Sequence, residues 1–184
     1  VYEKNEKTSD FLKEKFKKYE NIEIIQKPND NSQNFFDLIL TADVIEHIED
    51  DGAILQYLSR LLNKDGQIFI TVPAFNFLFS NKDKVLHHYR RYNKKNIKKL
   101  ISKYFSITKL SYYNFFLFIP MAISIVFLKI FKISFIDFAE KKPNTFLNII
   151  LFKIFQKLKF FLNFFNFPFG ISLIVLAKKK IYSD

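Results

Sequence analysis

Three groups of residues in this chain have the types and spacing to do chemistry. Asp43, Glu46 and His47 stand together in the run D-V-I-E-H. Two carboxylates and an imidazole at i, i+3 and i+4 can share one face of a helix, where they can move a proton or coordinate a cation. The second group is His88-Tyr89-Arg90-Arg91-Tyr92. Lysine is the default cation here and only three arginines occur, so an adjacent pair points to work that needs a planar fork, such as bidentate pairing or stacking. The third is Glu3, closing the strand-like Val1-Tyr2-Glu3. A carboxylate is acceptor-only and can take two donors at once. His47 has three open readings at this point: a helix-start residue satisfied by backbone, a general base or substrate contact, and a metal ligand.

These groups need elements to hold them. Phe35-Phe36 and Leu38 to Leu40, around Asp37, make a short apolar run that reads as a strand buried on both faces. The acid-rich segment at its carboxyl end lies where open α/β sheets bind ligands. Asp50 or Asp51 starts a helix with Ile54, Leu55, Leu58, Leu61 and Leu62 on one face, ended by Gly66 as a left-handed cap. Residues 68–72 form the next strand, closed by Pro73, which completes a βαβ unit with parallel strands. Residues 74–92 are a loop long enough to be functional. Asn93 caps a helix carrying Ile97, Leu100, Ile101 and Tyr104, and a strand follows at 107–113. Upstream, Thr8 caps a helix running to about Tyr19, residues 22–26 form a short strand, and 28–32 are a turn-rich loop. Downstream come two apolar helices, at about 115–133 and 144–166, and a closing strand at 170–178.

Composition narrows the classes. A chain of 184 residues can bury one real core. The absence of cysteine excludes disulfides and thiolate metal sites and fits a reducing compartment. Residues 1–52 hold seven Lys against thirteen acids, whereas residues 53–184 carry twenty-two Lys and Arg against five acids. A basic portion of net +17 suits an anionic surface or partner. Nucleic acid fits poorly, because the aromatics lie in apolar runs rather than interleaved with exposed cations. The uncharged stretches 110–128 and 160–177 approach the length of a membrane span but are broken by Pro120, and by Asn163, Asn166, Pro168 and Gly170. Helices apolar nearly all round must be buried or lie in lipid. No leader is visible, and Val1 to Glu3 reads as the end of a strand, so we expect residues upstream of Val1.

The run F-D-L-I-L-T-A-D-V-I-E-H-I resembles the segment after the fourth strand of class I S-adenosylmethionine (SAM) dependent methyltransferases. Val72-Pro73-Ala74, the aromatic loop, His88 to Tyr92 and Pro168-Phe169-Gly170-Ile171-Ser172 match, in order, a subset with V-P-A, G-H-x-R-R-Y and P-F-G-x-S. His87 stands where that subset has glycine. The resemblance implies a single α/β methyltransferase domain over 1–184 with a Rossmann-like sheet of order 3-2-1-4-5-7-6 and strand 7 antiparallel. Here strand 1 is lacking and two apolar helices, within 114–168, are inserted between strands 6 and 7. It implies that Glu3 accepts the ribose hydroxyls of SAM, that Asp30 or Asn31 contacts the adenine, and that Thr41, Ala42 and Asp43 line the cofactor. His47 becomes the catalytic candidate, and His88, Tyr89, Arg90, Arg91 and Tyr92 the substrate-binding ones. The family's glycine-rich turn is absent. The family places it upstream of Glu3, so the present chain alone is expected to bind SAM poorly and to be inactive alone. Some methyltransferases use a similar E-x-x-E-H to hold a divalent ion. Here the first acid is Asp43, and methyl transfer that tolerates chelation is the expectation. The expected acceptor is a small or lipid-linked molecule. The expected place is cytoplasmic, peripheral at the inner membrane face. A non-catalytic membrane-surface or interaction module and a divalent-metal-dependent O-methyltransferase are the alternatives.

Overall fold

The computed structural model describes residues 1–3, 5–25, 35–131 and 145–180. Four strands form one mixed sheet: β1 (Phe36–Ala42), β2 (Leu62–Pro73), β3 (Phe105–Tyr113) and β4 (Ser172–Lys179), in spatial order β1-β2-β4-β3. β1 and β2 are parallel and are joined by a crossover containing helix α2 (Asp51–Leu61). β4 runs antiparallel to both β2 and β3. This is the 4-5-7-6 half of the expected order, with the antiparallel strand where the resemblance puts it.

The alternation in the strands explains which face is filled. Ile68, Ile70 and Val72 of β2 and Leu173, Val175 and Ala177 of β4 are fully buried, while the residues between them are half-buried and Lys178, next after Ala177, is exposed. Leu55 of α2, Ile97 and Ile101 of α4 (Lys94–Ile101), and Phe105 of β3 complete the same core. Asp50 accepts from the Ala53 N–H at 2.8 Å and Asn93 from the Asn96 N–H at 2.8 Å, so both helices start on the side-chain caps that their sequences offer.

Several expectations are corrected. Helix α1 (Glu6–Phe16) is capped by Asn5, whose Oδ1 accepts from the Thr8 N–H at 3.1 Å, so Thr8 lies one turn inside rather than at the cap. Among the described residues, which stop at 25 here, the strands expected at 1–3 and 22–26 are represented by a single parallel bridge, Tyr2 to Ile25. Gly66 is not a left-handed cap: no glycine has positive φ, and residues 63–66 form the bulged start of β2, where Gly66 lies close against the Phe36 carbonyl. β1 is not buried on both faces. It is an edge strand among the described residues, and Leu38 and Leu40 remain 60% and 65% exposed. The Glu46-His47 pair does not open α2. It occupies a separate 3-10 turn, Ile45–His47, because Asp50 supplies the cap for α2 later in the chain.

Between β3 and β4 lie α5 (Phe115–Ile130) and α6 (Thr145–Phe164). Each was expected to be buried or in lipid. Phe115 and Phe118 of α5 pack on Phe169, with ring centroids at 4.7 and 5.4 Å. The adjoining stripe, Phe116, Ile119, Ile123, Val126, Phe127 and Ile130, is open to solvent. Their three- and four-residue spacing puts them on one face.

Candidate active site

The site is built at the carboxyl end of β1. Asp43 leaves the strand with φ of 51°, a left-handed conformation that aspartate tolerates. Its N–H donates to the Thr71 carbonyl at 3.1 Å, and the Thr71 hydroxyl donates to its carboxylate at 3.1 Å. β2 therefore fixes the turn. The next residues wind once through the 3-10 turn, and Ile45, fully buried, pins that turn into the core. Glu46 is thereby carried inside. It is fully buried, and neither carboxylate oxygen has a hydrogen-bond partner. Burial pushes its carboxyl up to about 7; the nearness of its own backbone N–H and the charge of Arg91 act to lower it, and the charge of Asp43 adds to the rise. His47, next in the chain, is exposed.

The loop after β2 closes over this turn. The backbone of Phe75 and Tyr92 ties the two ends of residues 74–92 together: Phe75 N donates to Tyr92 O at 2.7 Å and Tyr92 N to Pro73 O at 2.9 Å. Tyr89 N donates to the Glu46 carbonyl at 2.8 Å. His88 is thus brought against His47, with ring centroids 4.5 Å apart and planes at 81°. Candidate ligand atoms of Glu46, His47 and His88 all lie within 4.8 Å of one another.

Asp83 organises the loop from within. It begins the short helix α3 (Asn81–Val85) through a capping box with Ser80, and its side chain is 1% exposed. It accepts from Arg91 Nε at 2.8 Å, from another Arg91 nitrogen at 3.1 Å, and from the Ser80 N–H at 2.8 Å. Its Oδ1 also lies 2.9 Å from His88 Nδ1. Desolvation acts to raise the Asp83 pKa, but Arg91, His88 and the Ser80 N–H outweigh it and hold the carboxyl below its usual range.

The residues singled out from sequence are therefore distributed as follows. His47 and His88 meet beside Glu46. Arg91 is bidentate on Asp83 and reaches the Ala74 carbonyl, so the fork geometry foreseen for the arginine pair serves an acid of the loop itself. Arg90 pairs with Asp51 at 2.8 Å and donates to the Glu49 carbonyl at 2.6 Å. Tyr92, nearly fully buried, donates its hydroxyl to the same Asp51 at 2.9 Å, and desolvation followed by this hydrogen bond holds its pKa far above the ordinary value. Tyr89 is 54% exposed and leaves its ring at the surface. Thr41 is buried with an unpartnered hydroxyl, Ala42 and Asp43 are exposed, and Glu3 accepts from the Asn5 N–H at 2.8 Å. Asp30 and Asn31 lie outside the described residues. Asp83 was missed. The available signal was its isolation: it is the single acid between Asp65 and Asp137 in a basic stretch.

A sequence profile of a methyltransferase domain matches residues 5–111, more than half of the chain. No match is found among curated proteins. The fold is similar to solved structures at low identity. A Bacillus halodurans protein assigned as a methyltransferase aligns with a TM-score of 0.58 and 14% identity, over 98% of this chain and 82% of that one. A SAM-dependent methyltransferase from Archaeoglobus fulgidus aligns at 0.54 and 11%, over 97% and 74%. The N-methyltransferase NodS from Bradyrhizobium japonicum, solved with S-adenosylhomocysteine, aligns at 0.54 and 7%, over 98% and 66%. With the profile spanning the parallel β1–α2–β2 unit, the loop that closes over it and most of β3, the chain belongs to the methyltransferase-domain family.

Proposed function

We propose that this methyltransferase uses SAM and acts on a small or lipid-linked acceptor, with His47 taking the acceptor's proton. The observation that carries the reading is the placement of an exposed imidazole on the turn at the carboxyl end of a parallel strand. Methyl transfer is an in-line displacement at carbon, so the protein's work is to align the nucleophile and remove its proton. His47 is exposed, so its ring can reach the proton of an incoming acceptor, which suits that step. Glu3 is the proposed acceptor for the ribose hydroxyls. Glu3→Ala is expected to weaken binding of S-adenosylhomocysteine by ~1.5–3 kcal/mol in calorimetric titration, since a charged hydrogen-bond acceptor is lost. Unchanged affinity would remove Glu3 from the site.

A second reading concerns where the enzyme works. The exposed stripe of α5 is matched on α6 by Ile149, Phe152, Phe160 and Phe164, all half or more exposed. Asn166, just beyond α6, lines a groove with Lys94, Lys95, Lys98 and Lys109. No helix among the described residues is long and apolar enough to cross a membrane. Apolar faces beside a lysine-rich groove suit an anionic membrane surface, where each lysine contributes about 1 kcal/mol and apolar burial adds to it. Sedimentation with phosphatidylserine-containing vesicles is expected to carry the protein down at low salt and to release it at high salt. Indifference to such vesicles would sink this reading.

A further inference from the structure

We propose that Glu46, His47 and His88 form a binding site for one divalent transition-metal ion of the zinc and cobalt class. The inference does not depend on which molecule accepts the methyl group, but it bears on His47: an imidazole whose lone pair is held by an ion cannot also take a proton, so His47 serves as base only in the ion-free protein.

Three independent observations carry it. Both oxygens of Glu46 are buried without a partner, although the residue is fully enclosed. A buried carboxylate without hydrogen bonds is costly, and a cation beside it removes the cost. Second, ligand atoms from one carboxylate and two imidazoles already lie within 4.8 Å of each other. His47 is exposed, so its ring has room to adjust toward the ~2.0–2.2 Å bonds of such an ion. Third, His88 is already oriented. Its Nδ1 lies 2.9 Å from Asp83, a carboxylate that Arg91 and Ser80 hold in place. With Nδ1–H donating to Asp83, the lone pair is on Nε2. This carboxylate–histidine pairing is what fixes the tautomer of metal-binding imidazoles and raises their basicity. Asp83 is therefore a positioning residue for the ion.

The donor set selects the class of ion. Two nitrogens and one oxygen suit borderline ions such as zinc, cobalt or iron(II), while magnesium prefers oxygen ligands alone. Three protein ligands leave coordination positions open for water or for an oxygen of a bound molecule. The spacing D-V-I-E-H suggested Asp43 as the companion of Glu46 and His47. The structure supplies His88 in its place, from the far end of the loop.

Cobalt(II) titration tests this directly, because its visible d–d absorption reports nitrogen and oxygen ligation without any catalytic assay. The 184-residue chain is expected to develop the band with one cobalt per chain, and zinc is expected to abolish it by displacement. His47→Ala, at an exposed position that should not disturb folding, and His88→Ala should each weaken cobalt binding at least tenfold. Glu46→Gln should do the same. Asp83→Asn, in protein shown to be folded, should weaken it about tenfold or more, because Asp83 orients His88 and, through Arg91, holds the loop that carries it. His87→Asn is the control: His87 is the one remaining histidine, is exposed, and has a positive φ of 58° that asparagine accepts, so binding should be unchanged. No band at one equivalent, or a band whose affinity survives His47→Ala in a folded protein, would overturn the proposal. Equal binding of magnesium would overturn the assignment of ion class.

Discussion

Replacing Asp83 by alanine is expected to lower the stability of the protein by about 3–5 kcal/mol, the cost of leaving a buried charge without its partner. The carboxylate is 1% exposed and satisfies both Arg91 donors, the Ser80 N–H and His88 together. Truncation removes the capping acid of α3 and leaves a guanidinium that is only 11% exposed with the Ala74 carbonyl as its remaining hydrogen-bond partner. A contrast within the same molecule sharpens the expectation. Asp10 pairs with Lys13 at 3.1 Å, but the pair is 64% and 49% exposed, and Asp10→Ala should cost less than about 1 kcal/mol. Thermal unfolding should separate the two variants by roughly 6 °C or more for a chain of this length. Coincident melting of the two variants would show that Arg91 finds another partner or reaches water, and that the loop is not organised by Asp83.

That hub illustrates where the sequence was readable and where it was not. The strands at 68–72 and 170–178 announced themselves as apolar runs of β-formers because β2 and β4 are paired on both sides. The stop signals at Pro73 and the caps at Asp50 and Asn93 are local, so residue type sufficed. β1 was read as buried because a run of apolar residues does not say which neighbours cover it, and Leu38 and Leu40 lie on an edge strand. Gly66 was read as a helix end because its local preference is for turns, but pairing with Phe36 draws residues 62–67 into β2. Asn5 and Thr8 are both capable caps, and only the chain entry decides between them. Asp43, Glu46 and His47 were visible as a cluster, yet their grouping on one helix face was not realised: Asp43 ends in a left-handed turn, and the 3-10 turn separates its neighbours. His88 joins them only because Phe75 and Tyr92 close the loop and Tyr89 bonds to Glu46. No periodicity encodes that contact.

The other large effect is expected at Gly170. Its φ is not positive, so a side chain there is not a matter of backbone conformation. The constraint is space. A Cβ on Gly170 would stand 2.1 Å from the Tyr113 carbonyl oxygen and 2.8 Å from its carbon, and both are backbone atoms that cannot rotate away. Gly170→Ala must therefore push the entry to β4 off the end of β3. That entry carries much else: Ile171 O accepts from Ala74 N at 2.9 Å, Phe167 N donates to Ser111 Oγ at 2.8 Å, and Phe169 packs at a tilt on Phe115 and Phe118 of α5. Overpacking a well-filled site costs about 1–3 kcal/mol and more when backbone must move, so a loss of ~3 kcal/mol or greater is expected. This corresponds to a fall of roughly 6–12 °C in melting temperature. Gly52→Ala provides the opposite expectation. Its Cβ would meet Asp50 Oδ1 at 3.4 Å, an ordinary contact, and it lies in the first turn of α2, where alanine is the better helix former by up to about 1 kcal/mol. Gly52→Ala should melt at or slightly above the parent temperature while Gly170→Ala melts far below it. If Gly170→Ala melted with the parent, β3 and β4 would not approach at Tyr113 as the structure has them, and the coupling of the site loop through Ala74 to that junction would fail with it.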